Sequence, residues 1–316
     1  MINNKKVLLT GATGFVGACL LHSLIKNGFL NISIIIRKSS NIWRIKDILD
    51  KVKVYYSDLL DLEGLIKIIS KIKPEIIYHL ATYGAYLGFQ EDVKKIYETN
   101  LFGTINLLNA SAKVGFECFV NTGSSSEYGE KKEPMVETDV LEPNSDYGVS
   151  KACATLYCQN FAKQNDLPIV TLRLFSPYGY YEDRNRLIPY VILSCLSGRN
   201  PKLSSPNSVR DFIFIEYVME SYIKILGLED FSGEIFNIGS GEQYSVGEIV
   251  GKIIKLTNSK IKPKWNSVQN PRIEPTTWVA DISKIKSVLN WSPKHSLNEG
   301  LVKTITWFMR NSELYL

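Results

Sequence analysis

The sequence predicts an α/β protein, a Rossmann-type doubly wound parallel sheet with a smaller C-terminal substrate-binding lobe. Three observations predict it. Apolar strand-like runs alternate with segments of helical spacing through the first half of the chain, the order that builds a parallel sheet covered by helices on both faces. A glycine-rich string, GATGFVG, stands between the first such run and the first helical segment. After Phe175 the alternation loses its regularity, which marks a change of architecture.

The elements follow in order. Lys6–Thr10 (KVLLT) reads as a buried strand and Phe15–Lys26 as the helix after it. Ile32–Ile36, Val52–Tyr56 and Glu75–His79 are further strands, separated by a helix at Leu62–Lys71. Asp92–Val114 has helical spacing throughout, Phe116–Asn121 is a strand, Asp146–Gln164 a helix and Pro168–Phe175 a strand. The stretch from Pro177 to Arg210 is rich in Pro, Tyr, Ser and Arg and reads as irregular. Phe212–Ile215 and Glu234–Ile238 look like strands; Ser245–Leu256, Ile282–Leu289 and Leu297–Met309 look like helices. The expected division is a dinucleotide-binding domain over 1–175, rejoined by 212–238, and a lobe from 176–211 and 239–316 that lies over the carboxyl edge of the sheet, where ligands of open α/β sheets bind.

Composition narrows the function. With 45% hydrophobic and 22% charged residues the chain is an ordinary globular protein. No apolar run approaches the roughly 18 residues that span a bilayer, and the opening MINNKKVLLT runs into a strand rather than a signal peptide. The expectation is a cytoplasmic protein that does not contact membranes. Cys19, Cys118, Cys153, Cys158 and Cys195 form no CxxC pair, and the three histidines make no HExxH, so neither a disulfide framework nor a metal site is expected. The net charge of +5 comes from scattered lysines without a basic block, which argues against nucleic acid as a partner.

Gly11, Gly14 and Gly17 occupy the first strand–helix junction. Glycines there permit a tight turn and a close approach of backbone to a pyrophosphate, which the helix N-terminus attracts. The spacing is GxxGxxG rather than GxGxxG. Past the second strand stands Arg37, followed by Lys38, Ser39 and Ser40. An acidic residue at this point accepts from the ribose 2′-hydroxyl of NAD, whereas an arginine faces the 2′-phosphate of NADP. The expectation is therefore NADP(H), with NAD(H) as the alternative. Asp58, after the third strand, is placed to meet the adenine edge.

Tyr147 and Lys151 form a YxxxK at the start of a helix, and four-residue spacing puts both on one face. A nearby ammonium stabilises a phenolate, which then exchanges a proton with a substrate hydroxyl or carbonyl. A second YxxxK, Tyr128 and Lys132, precedes Pro134 and reads as a loop. Ser124, in TGSSSEYG at the end of a strand, offers a hydroxyl to a reacting oxygen.

Taken together, the glycine loop, the strand-end serine and the YxxxK resemble the extended short-chain dehydrogenase/reductases, in particular their nucleotide-sugar branch. The resemblance covers essentially the whole chain: HLA at His79–Ala81, NLFGTINLL from Asn100, RLFSPYG at Arg173–Gly179, RDFIFIEYV from Arg210 and RIEPTTWVADISK from Arg272. It implies a catalytic trio of Ser124, Tyr147 and Lys151. It implies a cofactor site of Gly11, Thr13, Gly14, Phe15, Val16, Gly17, Arg37, Ser40, Asp58, Leu59, Leu80, Ala81 and Asn100, completed by Tyr147 and Lys151. Substrate contacts would come from Tyr83, Ser125, Ser126, Ser176, Arg186, Leu187, Arg210 and Arg272, the last two arginines suiting a diphosphate. Two departures bear on the reaction. Ser176 replaces an asparagine frequent in relatives. Ser125 and Ser126 stand where 4,6-dehydratases carry an Asp–Glu or Ser–Glu pair, and only a one-residue gap brings Glu127 into the position of their base.

The string GSSSEYG…PMVETD…YGVSK favours an NADPH-dependent reductase of a nucleoside-diphosphate 4-keto-6-deoxy sugar, acting at carbon 4 in deoxysugar biosynthesis. A 4-epimerase and a 4,6-dehydratase are the alternatives within the class. A non-catalytic NAD(P)-binding regulator is the alternative outside it, and such proteins commonly lose the tyrosine or lysine retained here. The apolar Cys153, Leu156, Tyr157 and Phe161 on the YxxxK helix exceed what one buried face needs, and a homodimer is expected.

Overall fold

A computed structural model of the chain describes residues 2–85, 90–228, 232–268, 275–294 and 296–315. The chain forms two compact units: Met1–Gly129, Glu137–Leu174 and Ser221–Phe236 make the first, and Glu130–Val136, Phe175–Glu220 and Asn237–Leu316 the second. The segment that returns to the first unit thus begins at Ser221 rather than at residue 212, and a short piece at 130–136 leaves it.

The sheet of the first unit is built from β1 (Lys6–Thr10), β2 (Asn31–Ile36), β3 (Lys53–Tyr56), β4 (Ile76–His79), β5 (Cys118–Ser124) and β6 (Ile169–Leu174). With β10 (Glu234–Ile238) the spatial order is β10-β6-β5-β4-β1-β2-β3. All pairings from β6 across to β3 are parallel. The order reverses between β1 and β4, the switch point at which such sheets bind dinucleotides. β1, β2 and β6 are buried at nearly every position, as expected of strands covered on both faces. On one face α2 (Leu62–Ile72), α4 (Gly103–Ala112) and α5 (Asp146–Asn165) bring Leu65, Ile69, Leu107, Leu108, Cys158 and Ala162 against Leu8, Ile77, Phe119 and Ile169. α1 (Phe15–Lys26) follows the glycine loop directly.

The single helix expected over Asp92–Val114 is three pieces: α3 (Val93–Tyr97), a π-helical turn at Glu98–Phe102, and α4. π turns widen a helix locally and recur at functional sites; this one carries Asn100. In the second unit β7 (Ser176–Tyr178) pairs in parallel with β9 (Phe212–Phe214), and β8 (Val209–Arg210) pairs antiparallel with β11 (Tyr244–Ser245). α6 (Leu187–Ser197), α8 (Val246–Leu256) and α10 (Leu297–Arg310) pack on one another, with α9 (Ser283–Leu289) between the last two in sequence. α6 lies inside the stretch read as irregular. Its sequence LIPYVILSCLS is apolar on nearly every side, so no helical stripe stands out. α7 (Ile215–Lys224) begins where the expected strand 212–215 ends. Capping boxes, Ser245 with Glu248 and Ser296 with Glu299, start α8 and α10.

Candidate active site

The glycine loop is shaped by backbone geometry. Gly11 has φ +75°, and a Cβ there would stand 2.5 Å from Ala81 N and closer still to the Leu80 carbonyl carbon. The loop therefore presses directly on Leu80 and Ala81 at the end of β4. A Cβ on Gly17 would overlap the Gly11 carbonyl. Gly14 is the N-cap of α1 and supplies no side-chain cap, so the first-turn N–H groups of α1 are presented as a helix terminus without its own cap, the arrangement that holds a phosphate. Phe15 is buried behind the loop and Val16 half-buried. The residues present fit a dinucleotide.

Arg37 and Ser40 form a tight turn after β2, with Ser40 N donating to Arg37 O (3.0 Å) and Arg37 N to Ser40 Oγ (3.1 Å). Asp58 is exposed after β3, and its Oδ1 accepts from Leu60 N (3.0 Å). Leu59 is anchored on α4, its carbonyl accepting from Asn106 Nδ2 (2.9 Å). A residue missed in the sequence joins this region. Arg44 lies over the Trp43 ring (4.4 Å) and donates to the Thr13 carbonyl of the glycine loop (3.3 Å). Nothing in the local sequence pattern distinguishes Arg44 from a surface arginine.

Asn100 spends its amide on its own unit. Its Oδ1 accepts from Thr82 Oγ1 (3.0 Å) and Tyr83 N (2.8 Å), and its Nδ2 donates to Tyr83 O (2.8 Å) and Ser150 Oγ (2.9 Å). The π turn thereby pins Tyr83 beside α5, and Lys95 lies over the Tyr83 ring (4.8 Å). His79, fully buried, bridges Thr10 Oγ1 (2.7 Å) and Thr104 Oγ1 (2.9 Å). Burial, with the Lys151 charge adding to it, pushes the His79 imidazole down to about 3, so it is a neutral strut at working pH.

Ser124 ends β5. Its N–H donates to Glu127 Oε1 (2.7 Å) and its Oγ accepts from Ser126 N (3.2 Å), closing a capping box over a short helical turn at Ser125–Glu127. Ser125 is buried and Ser126 half-buried in that turn. α5 starts at the N-cap Ser145, whose Oγ accepts from Gly148 N (3.1 Å). Tyr147 lies in its first turn. Lys151, one turn on, is 3% exposed. Burial lowers the Lys151 ammonium from its ordinary range, and the anionic Glu127 works in the opposite direction. Gly148 explains how the two parts meet: a Cβ there would stand 2.5 Å from Ser126 O. Only glycine lets the first turn of α5 lie against the Ser124–Glu127 turn.

Tyr128, the tyrosine of the competing YxxxK, is fully buried and accepts from Arg173 Nη1 (3.0 Å). It is part of the core. Glu127 is 0% exposed and forms an ion pair with Arg173 (Nε to Oε2, 2.7 Å). An acid–base group must reach substrate, and this one is enclosed on both oxygens.

Four of the expected substrate residues lie in the second unit. Ser176 N donates to Asp211 O (3.0 Å). Arg186 caps α6 and faces the buried Glu182 (3.6 Å), with Leu187 the first residue of the helix. Arg210 lies over Trp278 (5.3 Å) beside Asp211, whose carboxylate accepts from Ser240 N and Oγ (each 2.6 Å), Gly241 N (3.1 Å) and Ala280 N (3.1 Å). Arg272 lies outside the described residues. Among the described residues no helix is long and apolar enough to cross a membrane.

Residues 7–239 match the NAD dependent epimerase/dehydratase family. The chain is 27% identical to a UDP-glucose 4-epimerase of Pisum sativum, over 98% of this chain and 97% of that one. It is 25% identical to a dTDP-glucose 4,6-dehydratase of Salmonella typhimurium, over 98% and 94%. Among solved structures, the UDP-glucuronic acid 4-epimerase of Bacillus cereus, in complex with UDP-glucuronic acid and NAD, superimposes with a TM-score of 0.86 at 27% identity, over 96% of this chain and 99% of that one.

Proposed function

The chain belongs to the NAD dependent epimerase/dehydratase family, and from that membership we propose that it inverts carbon 4 of a UDP-sugar with NAD as its resident cofactor. The observation that carries the choice is Glu127. A 4,6-dehydratase needs a carboxyl beside the serine, and here Ser125 and Ser126 occupy those positions while Glu127 is locked onto Arg173. The relatives and structural neighbours include both epimerases and 4,6-dehydratases, so the choice between them rests on Glu127.

The loop glycines, the N-terminus of α1, Arg37, Asp58, Leu80, Ala81 and Lys151 would hold the dinucleotide. When bound, its nicotinamide supplies the acceptor and donor of hydride. Tyr147 takes the proton of the C4 hydroxyl and returns it. Ser124 donates to the same oxygen and stabilises its developing charge. Lys151, cationic in a buried setting, stabilises the phenolate of Tyr147. Arg210, Arg186 and Arg272 would meet the diphosphate.

A second reading, a 4-ketoreductase using NADPH, is favoured by Arg37 after β2, with Arg44 a second arginine, bonded to the Thr13 carbonyl of the glycine loop. Incubation with UDP-glucose, UDP-N-acetylglucosamine and UDP-glucuronic acid, followed by NMR of the C4 protons, tests the first reading. A C4 epimer supports it. Consumption of NADPH by an NDP-4-keto-6-deoxy sugar, without any epimer, replaces it by the second. Tighter binding of NADH than NADPH in calorimetry removes the second.

Assembly is proposed as a homodimer through α3, the π turn and α5. Leu156 is 53% and Phe102 53% exposed, with Tyr157 and Phe161 stacked and half-buried on the same helix as Leu156.

A further inference from the structure

We propose that Glu127 is the positioning residue of the catalytic trio: a single buried carboxylate ties the strand end that carries Ser124 to the helix face that carries Lys151. The inference rests on the reading of Ser124, Tyr147 and Lys151 as the reacting groups. Glu127 Oε1 accepts from Ser124 N (2.7 Å) and from Thr155 Oγ1 (3.1 Å). Thr155 lies four residues after Lys151, hence one turn along the same face of α5. Glu127 Oε2 accepts from Arg173 Nε (2.7 Å), and Arg173 is held in turn by Tyr128 Oη (3.0 Å) and the Glu137 carbonyl (3.3 Å). β5, α5 and β6 therefore meet at one side chain.

One further observation and one general property of buried ion pairs point to a dedicated arrangement. Gly123, the residue before Ser124, leaves the space that the pair fills: a Cβ there would stand 2.7 Å from Glu127 Oε1 and 2.9 Å from Arg173 Cγ. A buried ion pair is also a poor source of stability, since its desolvation offsets its attraction and apolar replacements of similar volume frequently hold a fold as well. What the pair adds is direction. Charge-assisted hydrogen bonds are short and angular, so they fix the Ser124 backbone against α5 more narrowly than apolar packing does.

The carboxylate acts on Lys151 as well. Lys151 is faced by Glu127 from the turn after β5, by Cys158 on its own helix, and by neutral His79 from β4, with Tyr147 one turn before it on α5. Glu127 is the anion that opposes the effect of burial. Its removal makes Lys151 lose its proton at lower pH, and the alkaline limb of turnover should move to lower pH with it.

The test is Glu127→Met with Arg173→Met, which deletes the pair without leaving either charge orphaned, and Thr155→Val, which deletes one bond to Glu127 Oε1. The probe is UDP-glucose with added NAD. For a cooperatively unfolding double variant we expect amide exchange in the Ser124–Ser126 peptide to accelerate about tenfold or more. We expect kcat to fall about 10- to 100-fold, the scale of a misplacement near 1 Å, with KM within about threefold and the alkaline limb displaced to lower pH. Thr155→Val should lower kcat about three- to tenfold. Wild-type exchange, kcat and pH limb in a folded double variant overturn the proposal. If the double variant does not fold, wild-type kcat together with wild-type amide exchange at Ser124–Ser126 in Thr155→Val overturns it. A wild-type protein that epimerises no UDP-sugar removes the proposed function, while exchange at Ser124–Ser126 still decides the tether.

Discussion

Gly148→Ala is the substitution that separates the geometry of this site from its stability. The added Cβ would stand 2.5 Å from Ser126 O and 3.0 Å from Pro143 Cβ, where ordinary contact begins at 3.4 Å. The nearer neighbour is backbone in a capped turn, so the shortfall of about 0.9 Å must be met by moving the first turn of α5. Tyr147 precedes Gly148 and Lys151 follows it, so both shift away from Ser124. A misplacement of roughly 1 Å costs on the order of 10²-fold in rate. Stability responds in the other direction, because alanine in a helix is favoured over glycine by up to about 1 kcal/mol, which offsets part of the strain. We therefore expect kcat for the proposed UDP-glucose epimerisation to fall about 100-fold while the thermal midpoint moves by only a few degrees. The assays are NMR detection of the C4 epimer and calorimetric unfolding on the same preparation. A folded Gly148→Ala protein with kcat within threefold of wild type would refute the claim that α5 must approach the Ser124–Glu127 turn this closely.

Tyr147→Phe should lower turnover by roughly 10²–10⁴-fold, the usual share of a positioned acid–base group, and leave NAD binding intact by calorimetry. Tyr128→Phe should instead lower the melting temperature, because its hydroxyl accepts from the buried Arg173; a Tyr128→Phe protein that melts normally but does not turn over would move the active site. Glu182 is pushed up to about 8 by burial, against the opposing Arg186 and with Asp183 adding to the rise. Its folded form holds a proton more tightly than the unfolded chain, so the stability it contributes is full below the ordinary carboxylate range and is lost as pH rises toward about 8. Glu182→Gln should therefore gain melting temperature over wild type between pH 5 and pH 9, and a constant difference across that range contradicts the assignment. Leu156→Glu places a charge on the exposed face of α5 and should yield a monomer by sedimentation where the wild type is a dimer; a wild-type monomer at micromolar concentration ends the dimer proposal.

The sheet was legible because strands buried on both faces read as short apolar runs. KVLLT, NISIII and IVTLRL are such runs, and their bounds fall within a residue or two of β1, β2 and β6. α5 and α1 were legible through caps and glycines. α6 was not, since a helix apolar on most sides has no stripe for periodicity to find. The π turn at Asn100 was equally hidden, because widening a helix by one residue leaves no compositional trace. For the candidate site, motif spacing alone singled out the glycine loop, Ser124, Tyr147 and Lys151 as the residues to consider. Glu127 could not be singled out in this way, because its role depends on Arg173, 46 residues away in sequence. A sequence offers no sign that two opposite charges far apart will be buried together, and base rates for buried charge argue against it.

That unpredictability follows from what the buried polar residues do. Within the first unit Thr10, His79, Asn100, Thr104, Ser124, Glu127, Ser150, Lys151, Thr155 and Arg173 are all buried. Hydrogen bonds run from Thr10 through His79 to Thr104, from Asn100 to Ser150, and from Ser124 through Glu127 to Thr155 and Arg173. Thr104 Oγ1 also donates to the Asn100 carbonyl (2.7 Å), which joins the first two chains. Burying such groups costs free energy unless each is satisfied, and a buried ion pair such as Glu127 with Arg173 is a poor source of stability compared with apolar residues of similar volume. The groups cluster at the carboxyl ends of β1, β4 and β5 and on α5, and the rest of the sheet face under α2, α4 and α5 is packed mainly with Ile, Leu and Phe. This bonded network thus lies at the carboxyl edge of the sheet that carries Ser124, while Ser33 and Ser111 are buried outside it. Orientation at that edge, rather than stability, is the property these residues supply.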